Sequence, residues 1–70
     1  MMWFFERDQQ HLRCELRREM DGRGYELVVT EPDGTERTER FAEAGECVER
    51  LLALQAELIE QGWRSPSPPV

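Results

Sequence analysis

Polar and apolar residues alternate through HLRCELR, with Leu12, Cys14 and Leu16 on one side and His11, Arg13, Glu15 and Arg17 on the other. A period of two marks a strand with one buried and one wet face. YELVVT follows, rich in β-favouring residues, and then TERTERF, which is almost wholly polar until Phe41. Two glycine-bearing tetrads, DGRG and EPDG, separate these segments and read as hairpin turns. The opening MMWFF is apolar throughout and reads as a first strand. It joins HLRCELR through a short loop around Asp8, Gln9 and Gln10.

Turn chemistry predicts the register. In EPDG, Pro32 suits the first central position of a type I turn and Gly34 the left-handed bulge position. Glu31 then pairs with Thr35, Val29 with Arg37, Leu27 with Glu39 and Tyr25 with Phe41. A two-residue Gly22–Arg23 loop pairs Met20 with Tyr25 and Leu16 with Val29. Both hairpins place Leu12, Cys14, Leu16, Met20, Tyr25, Leu27, Val29 and Phe41 on one face. The other face gathers His11, Arg13, Glu15, Arg17, Glu19, Glu26, Val28, Thr30, Glu36, Thr38 and Arg40. There Glu26 lies opposite Arg40, a favourable pair, and opposite Glu19, an unfavourable one. A two-residue first loop points Trp3 and Phe5 to the core and leaves Met2 and Phe4 outside; a three-residue loop reverses this.

From about residue 43–46 the period becomes 3.6. Ala44, Cys47, Val48, Leu51, Leu52, Leu54, Leu58 and Ile59 fall within roughly 160° of a helical wheel at the ~100° step. Glu43, Glu46 and Glu49 lie near the start, where negative charge complements the helix dipole. Gly45 is the expected N-cap. Gly62 is a natural left-handed stop, with Trp63 folding back onto Leu58. Gln55 sits within the apolar arc, and a single amide at a helix–helix contact can fix register.

These elements predict an α+β domain: a four-stranded antiparallel meander with one C-terminal amphipathic helix across one face, ββββα, over residues 1–63. The Pro/Ser-rich residues 64–70 are expected to be a disordered tail. In arrangement alone, with no motif matched residue by residue, the order of elements is similar to that of the Whirly and related single-strand-binding domains. That resemblance implies an open sheet face able to hold single strands by stacking and by arginine. Phe4, His11, Arg13, Arg17 and Arg40 are the candidates for it.

Composition weighs against that reading. The chain has 70 residues, 15 acidic and nine basic, for a formal net charge of −6. Every basic residue is arginine. A negative field repels phosphate backbones and anionic lipid. The acids concentrate in the helix, where Glu43, Glu46, Glu49, Glu57 and Glu60 face only Arg50. MMWFF stops at Glu6, short of the ~7–15 apolar residues of a signal core, and no stretch approaches the ~20 of a membrane span. A soluble cytoplasmic protein with reduced thiols is expected.

No constellation suggests catalysis. His11 and Cys14 are three apart on a strand and so point to opposite faces, and with Cys47 they fall short of a closed zinc site. Cys14 and Cys47 read as small core residues, where a thiol loses reactivity. A two-layer domain of this size offers little room for the ~300 Å³ of a usual ligand pocket. No cofactor, metal or small-molecule substrate is indicated. The expectation is a non-enzymatic protein that works by protein–protein contact, as a homodimer. Both sheet edges read as open, the first strand is apolar on both faces, and the helical arc is broad. Met2, Trp3, Phe4 and Gln55 are the interface candidates; single-stranded nucleic-acid binding is the alternative.

Overall fold

Strand-forming alternation and turn chemistry produce a single meander. The computed structural model describes residues 1–20 and 22–65. In chain order these form β1 (Met2–Arg7), β2 (Gln10–Arg18), β3 (Tyr25–Thr30), β4 (Glu36–Phe41) and α1 (Ala44–Glu60). The strands make one antiparallel sheet in the order β1-β2-β3-β4, and α1 packs on one face. The expected ββββα arrangement is borne out. No helix among the described residues is long and apolar enough to cross a membrane.

The β3–β4 hairpin has the register that Pro32 and Gly34 dictate, with Tyr25 opposite Phe41 and Val29 opposite Arg37. The Gly34 N–H donates to the Glu31 carbonyl at 2.9 Å and the Glu31 N–H to the Thr35 carbonyl at 2.8 Å. Gly34 has φ +91, open to glycine at no steric cost. Between β1 and β2 the loop has two residues, Asp8 and Gln9, both at positive φ. This is the primed turn that matches strand twist. Trp3 therefore lies opposite Cys14, and Phe5 opposite Leu12. Both aromatics are buried.

The β2–β3 register differs from expectation by two residues. Arg18, not Met20, faces Tyr25, and Leu16 faces Leu27. The bend is longer than two residues: the Gly22 N–H reaches the Glu19 carbonyl, and the Glu19 N–H reaches that of Gly24. An even slip keeps every remaining side chain on its predicted face. Two consequences follow. Met20 leaves the core for the bend and is fully exposed. Arg17, rather than Glu19, lies opposite Glu26, so the like-charge pair is replaced by a favourable one.

Helix α1 starts one turn-fragment earlier than expected. Glu43, not Gly45, is the N-cap; it is extended at φ −126, ψ 147 and makes no side-chain cap bond. The Cys47 N–H already bonds to the Glu43 carbonyl, which places Gly45 inside the first turn. Glu46 supplies negative charge there. At the other end Gly62 adopts φ +95, where a side chain would be strained. The Trp63 N–H donates to the Leu58 carbonyl and the Gly62 N–H to that of Ile59, a Schellman stop. Leu58 and Trp63 join the same buried cluster.

Beyond that stop the chain does not leave the domain at residue 63. Arg64 pairs with Glu6 through reciprocal backbone bonds of 2.8 and 2.9 Å, so part of the outer β1 edge is covered. Arg7 ties the same corner together. Its Nη1 donates to the Gln61 carbonyl at 2.7 Å, and its guanidinium lies 4.5 Å from the Trp63 ring centre. The helix has no basic residue in its own last turn; β1 supplies the positive charge that its dipole favours there. The rest of the expected tail, residues 66–70, lies outside the described residues.

The core is Trp3, Phe5, Leu12, Cys14, Leu27 and Val29 from the sheet against Cys47, Leu51, Leu54, Leu58 and Trp63, with Leu16, Tyr25 and Phe41 packed at its margin. Val28 is buried too, although it points to the opposite, largely polar face. It sits on an inner strand, flanked across the sheet by Glu15 and Thr38.

Candidate protein-contact surfaces

The width of the helical arc decides the first surface. Only Cys47, Leu51, Leu54 and Leu58 are buried on α1. The helix packs chiefly over β3 and β4, and the Arg50 Nε–H, shared between the two carboxylate oxygens of Glu39 at 3.1 and 3.2 Å, holds it there. Its other flank stands off from the sheet. Val48, Leu52 and Ile59 lie along that flank, with Leu52 59% and Ile59 62% exposed. Between this flank and the sheet runs an apolar groove of about 170 Å³, lined by Met1, Trp3, Leu16, Val48, Leu52 and Gln55. Gln55 is half-buried there. Trp3 reaches the groove from the core.

A second apolar patch lies across the sheet. Phe4 is 51% exposed and Met2 is exposed beside it. Both side chains point away from α1, as the two-residue first loop requires. Of the four interface candidates, the structure thus brings Trp3 and Gln55 to the groove and puts Met2 and Phe4 on the open face. Val48, Leu52 and Ile59 are the part of the broad helical arc left outside the core; a wheel gives the breadth of an arc but not the position of the sheet beneath it.

The five candidates for nucleic acid divide into two groups. Phe4, His11 and Arg13 line one depression of about 250 Å³ with Thr30 and Glu31. Phe4 and Arg13 are direct cross-strand neighbours. Arg13 Nη2 donates to Thr30 Oγ1 at 3.4 Å, while its buried Nε has no hydrogen-bond partner among the described residues. Arg17 and Arg40 lie elsewhere on the face, on either side of Glu26 and each 3.9 Å from it. Arg17 also meets Glu15 at 3.9 Å, and Arg40 meets Glu19 at 3.3 Å. Acids thus neutralise this half of the face pair by pair.

For catalysis or metal binding the geometry offers little. Cys14 and Cys47 are free thiols with no solvent exposure. Burial pushes the Cys14 thiol from its ordinary 9.0 up to about 11, against a smaller opposing pull from Arg37. Burial, and then Glu39, raise that of Cys47 as well. Both thiols are thereby held in the unreactive protonated form. His11 is exposed on the face opposite Cys14. Among the described residues no three His, Cys, Asp or Glu side chains cluster as metal ligands would. Surface depressions are larger than the chain length suggests. One of about 470 Å³ is bordered by Glu19, Met20, Glu26 and Arg40, and one of about 370 Å³ by Glu6, Arg7, Asp8, Gln9, His11 and Arg64. Both are open to solvent, and in the first the charged side chains are already ion-paired.

No protein-family model matches the chain, and no curated protein or solved structure matches it significantly.

Proposed function

We propose that this is a small non-enzymatic protein that works by protein–protein contact and self-associates as a homodimer. One observation carries the reading: α1 leaves a whole apolar flank, Val48, Leu52 and Ile59, unburied beside an apolar groove. A short chain with a minimal core gains from covering such surface, since burying a Leu or Ile side chain is worth ~1.5–3 kcal/mol. Phe4, about half exposed, adds ~1 kcal/mol on the same scale when covered. A symmetric pair is also the commonest assembly of soluble chains. Two free, buried cysteines fit a reducing, cytoplasmic setting.

Native mass measurement across micromolar concentrations tests the reading. A species at twice the 8.3 kDa chain mass is expected. A monomer at every concentration ends it. The alternative, single-stranded nucleic-acid binding, is favoured by the unpartnered Arg13 Nε beside Phe4. It requires salt-sensitive anisotropy changes with oligo-dT; none at low salt rules it out.

A further inference from the structure

Strand β4 reads ERTER from Glu36 to Arg40, and every residue of that stretch is exposed. Its backbone is half-used. The Glu31–Thr35 bond opens the β3–β4 ladder, and hydrogen-bonded pairs then alternate along an antiparallel ladder. Arg37 and Glu39 therefore bond inward to β3, while the N–H and C=O groups of Glu36, Thr38 and Arg40 point out from the sheet. Among the described residues nothing pairs with them. The opposite edge differs, because Arg64 covers β1 at Glu6.

We infer that the occupant of the β4 edge is the β4 edge of a second copy, paired antiparallel about a two-fold axis at Thr38. This rests on the self-association proposed above and names the surface that performs it. Charge order is the argument. With the axis at Thr38, Glu36 faces the second copy's Arg40 and Arg37 faces its Glu39, and the same pairs recur by symmetry. Every glutamate of the stretch meets an arginine, and Thr38 meets Thr38, a pair whose hydroxyls can bond. The outward groups match as well: Thr38 with Thr38 and Glu36 with Arg40 are the hydrogen-bonded pairs. Sliding the axis by one residue sets Arg37 against Arg37, or Glu39 against Glu39. Parallel pairing sets every charge against its own kind. One register alone satisfies both charge and backbone.

The location fits the rest of the molecule. A chain of net charge −6 repels its own copy, but Glu36, Arg37, Glu39 and Arg40 sum to zero at this edge. The intramolecular partners do not compete away the pattern. Arg37 meets Glu31 at 3.0 Å, Glu39 meets Arg50 at 3.1 Å and Arg40 meets Glu19 at 3.3 Å, and all three side chains keep enough exposure to share a second contact. Charges that protect an edge against foreign strands thus admit one partner, a copy of themselves. Pairing like edge with like edge closes the assembly at a dimer, and the Arg64 bridge shortens the other edge through which a filament could grow. The two sheets become one continuous sheet, with both helices on the same face and both groove flanks outward.

The test inverts one charge at a time and then restores the pattern by mixing. Glu36→Arg places arginine against arginine, and Arg40→Glu places glutamate against glutamate. Each alone should weaken dimerisation about tenfold or more, read by sedimentation, with circular dichroism verifying the fold. Mixed in equal amounts, the two variants again set opposite charges across the axis, and a heterodimer should form at near wild-type affinity. Thr38→Pro removes an outward N–H without touching the β3 ladder and should abolish the dimer. If wild type is a dimer that Thr38→Pro and the single inversions leave intact, or if mixing restores nothing, the β4 inference is overturned while self-association stands; loss in Leu52→Glu then assigns the interface to the helix flank. A monomeric wild type overturns both.

Discussion

Trp63 closes the core from beyond the end of the helix, and replacing it shows how much of the domain depends on that closure. Its side chain is 5% exposed and sits under the Arg7 guanidinium. Trp63→Ala removes a large buried aromatic and leaves a cavity, a change that costs ~3–5 kcal/mol in well-packed cores. Loss of the cation–π contact adds ~0.5–1 kcal/mol. A single core of this size supplies only ~3–5 kcal/mol in total, so the variant should be largely unfolded at 25 °C. Urea denaturation followed by far-ultraviolet circular dichroism, at one low protein concentration, is the assay. With a slope of ~1 kcal/mol per molar urea for a small domain, wild type should melt cooperatively while Trp63→Ala shows little or no folded baseline. Arg64→Ala, which keeps the backbone bridge to Glu6, should shift stability by under ~0.5 kcal/mol. A Trp63→Ala unfolding free energy within ~1 kcal/mol of wild type would refute the claim that the post-helical segment is part of the core.

Other consequences concern titration and backbone. Cys14 has its pKa raised by folding, from 9.0 to about 11, so its contribution is fully present below 9.0 and fades as pH rises toward about 11. Native protein should resist a thiol reagent at pH 8 and lose stability in the alkaline range; stoichiometric labelling without unfolding contradicts this. Asp33 accepts the Thr35 N–H at 2.9 Å, which holds its carboxyl below the usual value. Its contribution is therefore present above the unfolded value and lost on acidification. An NMR titration midpoint at or above that of an unfolded aspartate argues against the bond. Gly62→Ala forces a side chain onto φ +95 and should cost ~1 kcal/mol through the helix stop; an unchanged urea midpoint would show that the Schellman geometry is dispensable.

The parts of this architecture that the residues announce are those with local chemical causes. Pro32 and Gly34 determine one turn type, and the β3–β4 register follows pair by pair. Gly62 followed by Trp63 announces the helix stop. The β2–β3 register is not fixed by alternation, which is blind to an even slip. Both registers keep Leu16 and Leu27 on the core face; the Arg17–Glu26 pairing and the place of Met20 separate them. Asp8 and Gln9 leave the first loop open, since neither is a glycine that would mark positive φ. The Glu6–Arg64 bridge is a single pair after a helix and has no periodicity to reveal it. At the candidate surfaces, exposure of Phe4 depended on that first loop, and exposure of the Val48–Ile59 flank on where the helix sits over the sheet. The charge order of β4 was readable as protection of an edge; its self-complementarity emerges only once the outward backbone groups are known.

Native mass measurement of the full chain decides whether it self-associates. A concentration-dependent dimer at twice 8.3 kDa is expected, lost in Thr38→Pro, weakened in Glu36→Arg and in Arg40→Glu alone, and restored when those two are mixed. A protein that stays at 8.3 kDa through the highest attainable concentration contradicts it.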